Sequence, residues 1–155
     1  MAGKIEARLQ ELGITLPDPP VPVASYQPYV VSGNQAVIAG QVTFLDGKLK
    51  YVGRIGETIS VEQAEAATRL CALNVLAQLR AACGGDLDRV VQVVRLNAFF
   101  NCTPDFQDHP RVMNAASDLM AEIFGDAGRH TRVGVGVNSL PLNVPAELDG
   151  VFEIA

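Results

Sequence analysis

The chain has 155 residues, of which 48% are hydrophobic and 19% charged, with a net charge of −5 and no tryptophan. That length can bury one core, and the hydrophobic share excludes a disordered chain. A net negative charge and only 6% aromatic residues disfavour nucleic acid as a partner, because they supply neither a broad phosphate-binding face nor a base-stacking surface.

Ile5, Leu9 and Leu12 recur at helical spacing over residues 4–12, and Gly13 follows as a stop. This segment mixes charges through every turn, unlike a signal peptide, and no later stretch approaches a membrane span, so the expected location is cytoplasmic, with no membrane partner. Pro17, Pro19, Pro20 and Pro22 fix an extended connector. Residues 1–25 are thus expected to be an N-terminal helix and proline-rich connector within a single domain covering 1–155. Residues 36–45 read as a strand, Asp46-Gly47 as a hairpin turn and 48–52 as the partner strand. Ser60, followed by Glu62 and Gln63, starts a helix. It runs to about Cys83 with Leu70, Leu73, Leu76 and Leu79 facing a sheet, and stops at Gly84-Gly85.

Residues 89–100 are rich in Val, Leu and Phe and read as a long strand, with a loop around Pro104. A second helix is predicted over 110–124, with Val112, Ala115, Ala116, Leu119, Met120 and Ile123 as its apolar stripe. Two strands close the order, which predicts an α+β fold: a mixed β-sheet with two helices packed on one face. The valine-rich strands leave the other face in need of a cover, and a second subunit would supply it.

The closing segment carries the chemistry. In the strand that opens at Arg132, side chains alternate, so the valines share one face and Arg132, Gly134 and Gly136 the other. The glycine face is expected to leave room for a ligand, with the guanidinium gripping a carboxylate. The chain then turns at Asn138-Ser139-Leu140-Pro141 and returns with Glu147, and a hairpin here would bring Glu147 near Arg132. Read alone, Arg132 is a carboxylate clamp or a strand-end charge, and Glu147 a base for water or a solvated strand residue. Tyr26 either closes a pocket or packs the connector.

These motifs resemble the RidA/YjgF family. Its members end in a strand beginning with Arg, followed by Leu-Pro, then Glu and an acidic-apolar tail, matched here by Arg132, Leu140-Pro141, Glu147 and residues 151–155. Gly33-Asn34 and Gly40-Gln41 resemble the family's Gly-Asn-x-x-x-x-Ser-Gly-Gln strand, and Tyr26 precedes Gly33 by the spacing of the family's pocket tyrosine. The likeness runs from about Tyr26 to Ala155. It implies a homotrimer of the chorismate-mutase-like fold that hydrolyses reactive imines and enamines such as 2-imino acids. The ligand would be a small carboxylate-bearing molecule held in an intersubunit cleft, without metal or organic cofactor. Arg132 and Glu147 would act in catalysis, and Tyr26, Ala39, Gly40, Gly134 and Asn114 would shape the pocket.

The chain departs from the family's active deaminases where they carry Cys and Ser, having Gly134 and Ala39, and its segment 105–119 is longer. Those features resemble a side branch labelled endoribonuclease L-PSP. A noncatalytic metabolite-binding protein and an RNA-cleaving or translation-inhibiting protein are therefore the alternatives.

Remaining candidates read more plainly. Cys71, Cys83 and Cys102 are odd in number without CxxC spacing, which fits reduced thiols, and Cys102 is expected to be a buried or edge thiol rather than a nucleophile. His109 and His130 lack metal-ligand spacing. Arg129-His130-Thr131-Arg132 is either an anion-binding rim or an ordinary loop. Gly134-Val135-Gly136 is no dinucleotide fingerprint, because no third glycine and no helix follow.

Overall fold

A computed structural model describes residues 2–155. Helix α1 (Lys4–Glu11) lacks a capping side chain of its own, since its N-cap is Gly3. Asp88, eighty-odd residues away, supplies the cap by accepting from the Lys4 and Ile5 backbone N–H groups, both at 2.8 Å. Strands β1 (Tyr29–Ser32) and β2 (Gln35–Gln41) form a hairpin around Gly33, whose φ of +60° suits a glycine-first two-residue loop. The predicted Asp46-Gly47 turn forms, but between strands of two residues each, β3 (Phe44–Leu45) and β4 (Lys48–Leu49). The expected strand over 36–45 ends at Gln41, and β1 takes the place beside it that residues 48–52 were expected to fill.

Helix α2 (Val61–Ala82) starts where predicted. Ser60 Oγ accepts from the Gln63 N–H and the Gln63 side chain accepts from the Ser60 N–H, a reciprocal capping box. Strand β5 (Val90–Asn101), helix α3 (His109–Phe124), strand β6 (Thr131–Val137) and strand β7 (Ala146–Ile154) complete the chain.

The larger sheet runs β1-β2-β7-β5-β6; β5 and β6 are parallel and every other pair is antiparallel. Helices α2 and α3 cover one face, where Ala36, Ile38, Leu96, Phe100, Leu148 and Phe152 are buried. Helix α1 packs at the end of α3, with Arg8 Nε donating to the Glu122 carbonyl. The other face is bare. Val30, Val37, Val133 and Val135 lie there, each more than 40% exposed.

The sheet order overturns one expectation. Strands β6 and β7 are not a hairpin, because β5 lies between them. Their connection carries two left-handed residues, Leu142 (φ 59°) and Asn143 (φ 55°), and Asn101 holds it from β5 by donating to Asn143 Oδ1 at 3.2 Å and to the Val144 carbonyl at 3.3 Å. Parallel pairing of β5 with β6 needs a crossover, which α3 provides.

Candidate functional site

Register sets the two candidate catalytic groups on opposite faces. Arg132 pairs with Leu96, whose side chain is buried under the helices, whereas Glu147 pairs with Phe99 on the bare face. One β5 register step apart in face and three in sequence, the two Cα positions are separated by more than about 10 Å. A single protomer therefore presents two candidate half-sites rather than one candidate site.

The Arg132 half is built on α3. Nη1 donates to Asn114 Oδ1 at 2.8 Å and to Ser117 Oγ at 3.0 Å, and Nη2 donates to the Pro110 carbonyl at 3.3 Å. Three of the five N–H groups of the guanidinium are engaged, and two remain for a ligand. Asn114, on the longer segment 105–119, is thus a direct partner of Arg132.

The glycines of β6 do not open a ligand groove. A Cβ on Gly134 would lie 2.9 Å from Met113 Sδ, and one on Gly136 would lie 2.7 Å from Cys102 Sγ and 2.8 Å from His109 Nε2. The room expected on this face is filled by α3 and by the end of β5, and the valines face the bare side instead. Small residues here serve close helix–sheet packing.

The Glu147 half lies in a cleft of about 250 Å³ that is also lined by Tyr26, Gly40, Val23, Pro141 and Leu142. The Glu147 carboxyl group has no hydrogen-bond partner among the described residues. Burial, reinforced by nearby Asp149, raises its pKa above the ordinary carboxyl value. Gly40 makes the space, since a Cβ there would lie 3.1 Å from the Glu147 carboxyl carbon. Tyr26 is half exposed beside it. Ala39 stands apart: its N–H donates to the Pro28 carbonyl at 2.9 Å, its carbonyl accepts from Gln41 Nε2 at 3.0 Å, and it does not line the cleft.

The thiols are quiet. Burial pushes Cys71 far up, with Glu147 adding to the rise, and raises Cys83 and Cys102 as well. Cys102 does contact a histidine, His109 Nε2 at 3.8 Å, a pairing that sequence distance alone did not indicate. Residues that the sequence reading missed include Leu142, whose positive φ turns it onto the cleft, and Ser117, which meets both Arg132 and His130. Among the described residues no group of three His, Cys, Asp or Glu side chains is placed to hold a metal, and no helix is long and apolar enough to cross a membrane.

Residues 6–151 match the family model described as "YjgF/chorismate_mutase-like, putative endoribonuclease". Protein TCP17 of Trypanosoma cruzi is 43% identical over 154 residues, spanning 99% of this chain and 96% of that protein. Two solved structures share the whole shape. Atu1372 of Agrobacterium tumefaciens, a protein of unknown function, is 42% identical with a TM-score of 0.90, covering 97% of this chain and 92% of that one. A Shewanella oneidensis MR-1 protein given the same endoribonuclease designation is 38% identical with a TM-score of 0.93, covering 98% of this chain and all of that one.

Proposed function

The chain belongs to the YjgF/chorismate-mutase-like family, also called RidA/YjgF, and from that premise we propose that it hydrolyses reactive 2-imino acids and related enamines to keto acids and ammonia. The observation that carries the reading is the Glu147 carboxyl group: half-buried, without a partner among the described residues, raised in pKa and lining a cleft beside Tyr26 and Gly40. A carboxyl group whose pKa is raised by burial binds a proton more readily than an ordinary carboxylate, which suits general-base work. Arg132 supplies the complementary half, with two N–H groups free for a carboxylate.

Because these halves sit on opposite faces of one sheet, the reaction requires a cleft between copies, with Arg132 of one protomer facing Glu147 of the partner subunit. The bare valine face supports such an assembly, and a cytoplasmic homotrimer without cofactor is part of the proposal. Glu147 takes a proton from water as its oxygen bonds to the imine carbon. That proton passes to the nitrogen and completes the carbinolamine; Glu147 then takes the hydroxyl proton and delivers it to the amino nitrogen as the C–N bond breaks, so that ammonia leaves as the ketone forms. An imine is already electrophilic, so orientation and proton transfer suffice.

The test is hydrolysis of 2-imino acids generated in place by an amino-acid oxidase and trapped with semicarbazide. Native protein speeds imine loss, and Arg132→Ala and Glu147→Ala do not. Native turnover equal to the blank across a range of imines removes the reading. Noncatalytic binding of a small carboxylate is the second reading, favoured by Met113 Sδ filling the space beside Gly134 where active relatives carry a thiol. Saturable binding without turnover supports it. Salt-dependent RNA binding would instead support the endoribonuclease description.

A further inference from the structure

Beside Arg132, outside the Glu147 cleft, a serine and a histidine meet. Ser117 Oγ lies 2.9 Å from His130 Nε2, His130 Nδ1 lies 2.6 Å from the Gly128 carbonyl oxygen, and Arg132 Nη1 lies 3.0 Å from Ser117 Oγ. These contacts fix the protons. A carbonyl only accepts, so in the neutral imidazole Nδ1 carries the hydrogen and Nε2 keeps its lone pair. A guanidinium only donates, so the Ser117 oxygen accepts from Arg132 and directs its own hydrogen at Nε2.

The orienting carbonyl is itself held rigidly. Gly128 is buried against α3, and a Cβ there would lie 2.6 Å from the Met120 carbonyl carbon and 2.9 Å from the Ala121 nitrogen, so only glycine fits. Hydroxyl, base and orienting acceptor thus stand in the order that activates a nucleophile. The Arg132 charge beside Oγ favours the oxygen as it loses its proton. Ser117 and His130 are half-buried at an open groove of about 280 Å³ that also takes in Arg129, Arg132 and Asp118.

We propose that Ser117 is a nucleophile, with His130 as its base, for acyl transfer from small esters that carry an anionic group. The exposed Arg129 guanidinium and the two free N–H groups of Arg132 select the anion. Ser117 Oγ bonds to the ester carbonyl carbon while His130 Nε2 takes the hydroxyl proton. The C–O bond to the leaving group then breaks, and the departing alkoxide takes that proton from His130. Water attacks the acyl-serine, His130 removes a proton from it, and the carboxylic acid leaves as the proton returns to Ser117 Oγ. The inference shares Arg132 with the imine reading and takes nothing else from it.

The experiment exposes folded native protein to a fluorophosphonate, which forms an Oγ–P bond and expels fluoride, and locates the adduct by peptide mass spectrometry. The adduct is expected on Ser117, with labelling slowed on the order of a hundredfold in His130→Gln, absent in Ser117→Ala and retained in Glu147→Gln. No adduct on Ser117 of the native protein overturns the proposal, and this arm decides even where a variant fails to fold. An equal labelling rate in folded His130→Gln overturns the base assignment. Imine hydrolysis without labelling removes this inference alone, and labelling without imine hydrolysis removes the other alone.

Discussion

The Arg132 and Glu147 half-sites are held in contrasting ways. Arg132 is fixed by Asn114, Ser117 and the Pro110 carbonyl, all on α3, so three of its N–H groups are satisfied and its orientation is preset while its positive charge is left without a carboxylate partner among the described residues. Glu147 has no such partner among the described residues, and burial raises its pKa. A preorganised cation costs little to reuse as an anchor, whereas an uncompensated carboxyl group stores a readiness to take up a proton. Under the proposed reaction, anchoring and proton transfer are divided between the two faces of one sheet.

That contrast breaks most sharply at Gly40. In Gly40→Ala the new Cβ displaces the Glu147 carboxyl group, and a misplacement of about 1 Å lowers imine turnover on the order of a hundredfold. Unchanged turnover, measured with semicarbazide trapping, would detach Glu147 from the chemistry. On the Arg132 side, Gly134→Cys restores the thiol of active relatives but drives its Cβ toward Met113 Sδ. Denaturant unfolding is expected to show a loss of roughly 1–3 kcal/mol. The loss should shrink in a Met113→Ala background, and strictly additive penalties would mean that Met113 does not fill the space.

The smallest effect concerns pH. Because the folded Glu147 pKa lies above its ordinary 4.5, the folded chain holds the proton more tightly than the unfolded chain, so native stability falls as pH rises through that window. Glu147→Gln does not titrate. It should therefore be more stable than native protein at neutral pH, with the gap closing as pH falls below the ordinary carboxyl range. Melting midpoints compared at both ends check this, and a gap that widens in acid would contradict the raised pKa.

Elements fixed by local chemistry were legible in the sequence. The Ser60–Gln63 capping box, the Asp46-Gly47 turn and the apolar stripe of α3 each depend on neighbours within a few positions. Alternation in β6 correctly separated the valines from Arg132 and the glycines. It could not say which face met a helix, because small residues mark close packing as readily as an open groove. Strand order was hidden for the same reason: a period of two reports a pleat, not a neighbour. The Asp88 cap on α1 and the meeting of Ser117 with His130 are tertiary contacts, and no local spacing encodes them.

Strand β7 occupies the middle of the sheet although it is the last element in the chain. During synthesis, β2 and β5 emerge with no partner on their facing edges, and neither pairing can form until residues 146–154 have been made. From the completion of β5 at Asn101 until β7 is made, the nascent chain carries two unpaired strand edges, a condition that slows folding and invites association with other chains.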